Sequence, residues 1–309
     1  MRGNLSPRCA TVGLMCIAAT VGRNGKNDRD DVRTVQLLLQ MNAPQAAPAV
    51  PANGKCGAGT VTAIELYQHG VLGGFDIAGL ITPEAANDPR QGSTLRALRQ
   101  GMATGFSAAR LQGIFIHAPA STIVRFFAPL VAAMAAAEIA SLLRRSHFLA
   151  QVGHESGELR YTEEIASGVA YEGRKDLGNT QPGDGKRFKG RGLIQLTGRA
   201  NYIAFGKTVQ TDFTTGDTCK QIADDAALAI QAAVWFWQTH ALNALADKDD
   251  VLTITRKVNG GTNGLEDRKR LLARAKWFLE PVAPAPATLP KVQAGEDDAC
   301  DLSAADVVF

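Results

Sequence analysis

Apolar residues along this chain recur mostly at spacings of three and four, the period of an amphipathic helix, with no sustained alternation of the kind a strand needs. Val32, Val35, Leu38 and Leu39 mark a first helix, for which Asp30 and Asp31 are candidate N-caps. A Pro/Ala-rich loop (APQAAPAVPANG) follows, then a second helix with Val61, Ile64 and Tyr67 on one face, and a third from Ser93 carrying Leu95 and Leu98. The pattern predicts three short helices around one small core over residues 1–100. A larger helical domain is predicted over 104–280. Its helices cover Ile123–Leu143, Ser146–Glu155, Ile222–His240, Leu252–Val258 and Leu265 to about Leu279. Trp235, Phe236 and Trp237 fall on a stretch that is apolar all round, which reads as core. From Pro281 the chain is Pro/Ala-rich and then acidic, a composition that predicts disorder over 281–309. The fold class is mainly α.

Charge adds little and excludes some partners. Residues 1–100 carry 10 basic and 7 acidic side chains, residues 101–280 carry 22 and 18, and the tail carries 1 and 5. A balance of +3 overall suits an anionic polymer but is too small to argue for nucleic acid. Five cysteines (Cys9, Cys16, Cys56, Cys219, Cys300) form no CxxC pair, so neither a disulfide framework nor a zinc site is expected. The apolar run at 9–22 is too short to span a bilayer and shows no clear signal-peptide cleavage site. Integral membrane association is therefore not expected. Synthesis in a bacterial cytoplasm is.

Two carboxyl groups flanking a bond are the equipment of glycoside hydrolysis: one protonates the leaving oxygen, the other activates water or attacks. Glu155, in HFLAQVGHESGE, shares a helical face with Phe148 and Val152, which desolvates a carboxyl and suits it to the acid role. Glu164 is the second candidate, provided a turn after Gly157 brings it back across a cleft. Spacing leaves Glu158 and Glu163 open as rivals. The next segment, YEGRKDLGNTQPGDGKRFKGRGLIQLTGRANY, holds seven glycines, with six basic residues before Gly192. Such glycine density permits close backbone approach to a ligand. Gln195, Thr197 and Asn201 follow, spaced to place neutral hydrogen-bonding groups on one wall, as sugars require. His154 precedes Glu155, but position 158, where a zinc peptidase motif carries its second His, is Glu, so no metal or other cofactor is expected.

Two resemblances sharpen this. VGRNGKNDRDDVRTVQLLL, NGKCGAGTVTAIELYQ and STLRAL together resemble peptidoglycan-binding modules, over about residues 18–100. FLAQVGHESG, the glycine-rich block and VNGGTNGLEDR resemble glycoside hydrolase family 19, in its phage-endolysin and lysozyme-like branch, over about residues 125–278. The second resemblance implies a bilobal lysozyme-like α-helical domain and a metal-free inverting mechanism. It matches Glu155 to the general acid and Glu164 to the general base. Gln195, Thr197 and Asn201 match substrate- and water-positioning residues, and Asn259 a substrate-binding asparagine. Ala200 departs from the plant chitinases, which carry a tyrosine there, and Thr262–Gly264 interrupt the plant NGGLE block.

The expectation is thus a monomeric endolysin-type muramidase that hydrolyses β-1,4 bonds of peptidoglycan in the cell wall or periplasm, with residues 1–100 as a wall-binding tether. The alternatives are a chitinase, a bacterial antagonistic effector, and a non-catalytic wall-binding protein. Inversion by two carboxyls needs them about 6.5–9.5 Å apart to admit the water.

Overall fold

The structure is a computed structural model that describes residues 16–42, 50–72, 78–83 and 93–281. The predicted tail, Cys9, Cys300 and most of the Pro/Ala-rich loop lie outside the described residues. The chain is mainly helical, as its periodicity indicates.

Three helices, α1 (Arg29–Asn42), α2 (Ala58–Leu72) and α3 (Ser93–Gln100), surround a short antiparallel pair, β1 (Val21–Gly22) with β2 (Leu80–Ile81). Val32, Val35, Leu38, Ile64, Leu95 and Leu98 are all buried between them. Asp30 and Asp31 do not cap α1, which begins one residue earlier. The Asp31 carboxylate instead accepts from the amides of Ala18 and Ala19 at 3.0 and 2.8 Å, tying down the approach to β1.

The larger part follows as α4 (Ala108–Ile114), α5 (Ala120–Ala136), α6 (Leu142–Glu155), α7 (Asp184–Arg187), α8 (Arg199–Val209), α9 (Gln221–Asp224), α10 (Ala226–Thr239), α11 (Leu242–Ala246), α12 (Val251–Asn259) and α13 (Leu265–Leu279). The helix expected over Ile222–His240 is two. Asp225 closes α9 and then caps α10 by accepting from Leu228 N at 2.8 Å, the use to which a short carboxylate is best suited. Likewise the stretch Ile123–Leu143 breaks after Ala136, and Ser141 caps α6.

α6 packs along α13, and α10 along α5. Trp237 is fully buried and meets Phe148 edge-on at 5.3 Å, whereas Trp235 and Phe236 are only partly covered. Besides a small cluster of Ala150, Leu271 and Leu272, two larger apolar clusters form the core. One runs through α5, α6 and α13. The other gathers Phe188, Tyr202, Phe205, Phe213 and Ile222. α10 serves both, giving Ala229 and Ala233 to the first and Ala232 to the second.

The N-terminal helices do not stand apart from this body. Their buried residues belong to the same apolar cluster as Leu111, Phe115 and Trp277, and α1 packs on α4. Arg99 of α3 pairs with Glu280 at 2.7 Å and lies over the Trp277 ring at 4.9 Å.

Candidate active site

Glu155 is the last residue of α6 and is partly buried. Phe148 and Val152 are buried on its face, but the group lying against its carboxylate is charged. Arg268, fully buried on α13, donates to Glu155 Oε1 and, at 2.6 Å, to Gln151 Oε1 one turn earlier. The adjacent Asp267 meets His154 Nδ1 at 2.7 Å. That contact holds the Asp267 carboxyl well below the usual carboxylate range. Two consecutive residues at the start of α13 therefore clasp the last two of α6. Gly264 makes the approach possible. It lies at φ +71°, and any β-carbon there would overlap the His154 ring.

After α6 the chain reverses through three successive left-handed residues, Gly157, Glu158 and Leu159, at φ 57°, 62° and 66°. This conformation is unfavourable for a residue with a β-carbon. Hydrogen bonds offset the cost. Glu158, 4% exposed, accepts from the His117 amide at 2.6 Å and meets His117 Nδ1 at 2.8 Å. Glu158 thus anchors the turn.

The turn delivers Glu164 against the glycine-rich segment. Its amide donates to the Gly190 carbonyl at 2.9 Å. Both carboxylate oxygens are engaged by neutral donors: Oε1 by the Tyr171 hydroxyl at 3.0 Å, Oε2 by the Gly190 amide at 3.1 Å. Glu163 sits in a different setting, exposed and bridged to Arg191 at 2.9 Å, with Lys189 at 3.5 Å.

Gln195, Thr197 and Asn201 are linked in series. The Thr197 hydroxyl donates to the Gln195 carbonyl at 2.9 Å, and Asn201 Nδ2 to the Thr197 carbonyl at 2.8 Å. This fixes Thr197, and among the described residues no donor meets its hydroxyl oxygen or Asn201 Oδ1. The Gln195 amide is turned to Gly192 O at 3.1 Å. Asp184 and Arg199 lock the glycine-rich segment to the start of α8 at 2.6 Å, and Arg199 holds the Asp184 carboxyl below its ordinary range. Asn259 ends α12 and is exposed. No hydrogen bond joins it to Glu155, Glu164 or the Gln195–Asn201 series among the described residues.

The comparisons with known proteins fall on this region. The family described as "Chitinase class I" matches residues 130–256, which include both glutamates and the Gln195–Asn201 series. A glycosyl hydrolase family 19 domain-containing protein of Haemophilus influenzae is 32% identical over 160 residues, covering 42% of this chain and 76% of that protein. This chain belongs to glycoside hydrolase family 19. The family 19 hydrolase is also 36% identical to an endochitinase of Arabidopsis thaliana over 132 residues, 43% of this chain and 44% of that one. The plant endochitinases are thus matched over less than half of their length. A solved bacterial family 19 chitinase aligns at 24% identity and a TM-score of 0.47, over 58% of this chain and 97% of that one.

Sequence reasoning on the family 19 hydrolase missed Arg268, Tyr171 and the His117–Glu158 contact. Arg268 lies in a run of charged residues (EDRKR) that reads as solvated surface. Tyr171, seven residues after Glu164, gives no pattern. Among the described residues no group of three or more His, Cys, Asp or Glu side chains could share a metal ion, and no helix is long and apolar enough to cross a membrane.

Proposed function

We propose that this glycosidase cleaves β-1,4 bonds in bacterial peptidoglycan by inversion, with Glu155 as acid and Glu164 as base. The observation that carries the assignment is the contrast between Glu164 and Glu163. Glu164 is oriented by two neutral donors, so its charge stays free to take a proton from water. Glu163 is already engaged by two cations, Arg191 and Lys189. Glu155, fixed by Arg268, protonates the bridging oxygen. Thr197, its own proton engaged, accepts a hydrogen bond from the attacking water. Gln195, Asn201 and Asn259 supply neutral contacts to the sugar. No metal takes part in this scheme, and the chain works as a monomer at the cell wall.

Peptidoglycan is favoured over chitin by the resemblance of residues 18–100 to wall-binding modules. The chitinase reading keeps one support, namely that several relatives are endochitinases. Digesting purified peptidoglycan and chitin side by side, with mass analysis of the products, tests the choice. New reducing ends on muropeptides are expected. Release of N-acetylglucosamine oligomers from chitin, with peptidoglycan left intact, would select the chitinase.

A further inference from the structure

Beside the Glu163–Arg191 bridge lies an open hollow of about 640 Å³, lined by Lys186, Arg187, Arg191, Asp217, Cys219 and Lys220 among others. Its charges do not balance. Asp217 is taken by Lys220 at 3.0 Å, and Arg191 by Glu163 at 2.9 Å. Arg187 donates to the carbonyl of Gly216, and no acidic side chain pairs with it among the described residues. Lys186 is exposed, with no ion pair or hydrogen bond among the described residues. The lining thus carries four cations against one carboxylate, Asp217, with Asp212 outside it as a further acidic group whose field reaches Arg187, and such an excess of positive charge concentrates an anion. None of these residues holds the two catalytic glutamates.

The hollow adjoins the reaction centre through the backbone. Arg191 forms part of its wall, and its neighbour Gly190 donates to Glu164. Arg191 also forms an isolated bridge with Glu163, next to Glu164. The hollow and Glu164 thus share one stretch of backbone. Chitin has no ionisable substituent. Peptidoglycan carries a short peptide on every second sugar, and that peptide ends in, and is studded with, free carboxylates.

We propose that this hollow binds a carboxylate of the peptidoglycan stem peptide through Lys186 and Arg187, making it a determinant of peptidoglycan over chitin. The proposal rests on the peptidoglycan reading given above. Carboxylate recognition by a guanidinium and an ammonium is charge-assisted, so it weakens with salt.

The test uses the full-length protein, with Lys186→Glu and Lys186→Arg as variants, because an exposed lysine tolerates both without disturbing the core. Three soluble substrates are compared: glycan strands bearing stem peptides, the same strands stripped by an amidase, and chito-oligosaccharides. Binding of the isolated stem peptide is titrated separately by calorimetry at low and high salt. Lys186→Glu should raise KM on peptide-bearing strands about tenfold and move KM on stripped strands less than twofold. It should also abolish the stem-peptide heat, while Lys186→Arg keeps both near the parent values. Equal losses on peptide-bearing and stripped strands, or no change on either, would overturn the proposal, as would a stem peptide that fails to bind the parent protein. Should the parent cleave chito-oligosaccharides alone, the peptidoglycan reading fails. The peptide titration still decides the hollow in that case.

Discussion

His117 Nε2 stands 2.9 Å from Asp30 Oδ1, joining the first helix to the buried Glu158 on the other side of the same ring. Glu158 contributes most to raising the His117 pKa above its ordinary value, and Asp30 adds to it against a desolvation cost. Arg270, 3.7 Å from Asp30, and the buried Arg274 are the cations facing this cluster. A raised folded-state pKa means that the stabilisation is complete below the unfolded value of about 6.5 and is lost as pH rises through the folded value. The melting temperature of the parent should therefore exceed that of His117→Gln most at acid pH, with the gap closing toward alkaline pH. A gap that stays constant or widens with pH would show that the ring is not titrating in this cluster.

The two neighbouring glutamates give a sharper activity test. Glu164→Gln should lower kcat by about 10² to 10⁴, the usual worth of a positioned acid or base, with little change in thermal stability. Glu155→Gln should be at least as damaging. Glu163→Gln removes the carboxylate from the buried Arg191, whose guanidinium still donates to the Arg187 carbonyl and the Tyr202 hydroxyl, and should cost stability while retaining most of the rate. If Glu163→Gln is the inactive variant, the base is one residue away from its assignment.

The helical frame of the site was legible because burial follows period. The spacing of apolar residues locates α12 and α13 to within a residue or so, and it ends α6 at Glu155. Caps within an apolar run were not legible. Asp225 divides Ile222–His240 although the alanines around it favour one continuous helix. The charged partners inside the fold were also hidden, for a physical reason. Nothing in local sequence separates a buried Arg268 from its solvated neighbours Lys269 and Arg270, since only the packing of α13 on α6 decides which of them turns inward. Glu158 appeared as a rival catalytic carboxyl because its His117 partner lies 41 positions away.

Gly264→Ala probes the clasp on Glu155 without touching a charged group. A left-handed residue with a β-carbon is strained by about 1–3 kcal/mol, and this β-carbon would also collide with the His154 ring. The variant should melt several degrees lower. It should also lose activity beyond what the stability change explains, because His154 and Glu155 are consecutive on α6. Gly260 has a positive φ too, but nothing lies near its would-be β-carbon, so Gly260→Ala carries the backbone strain alone and serves as control. Equal activity losses for the two would show that the His154 contact does not matter to the site.

The last prediction concerns residues 1–100, expected from sequence to act as a separable tether. A tether predicts that protein beginning at Met102 keeps its rate on soluble oligomers and slows only on insoluble walls, through loss of effective concentration. The packing of the chain predicts more. Removing α1 to α3 uncovers apolar surface shared with Leu111 and Phe115, and frees His117, Arg270 and Glu280 from Asp30 and Arg99. Each kcal/mol so lost lowers the melting temperature by about 2–4 °C for a body of this size. The shortened protein should therefore melt well below the parent. Its rate on soluble oligomers should also fall, because His117 holds Glu158, and Glu158 anchors the turn that carries Glu164. Asp30→Asn in the full-length chain separates the two effects, since it loosens the His117 contact while leaving residues 1–100 in place. It should reproduce part of the loss on soluble oligomers and none of the loss in wall co-sedimentation. A shortened protein with unchanged melting temperature and unchanged soluble rate would establish the tether instead.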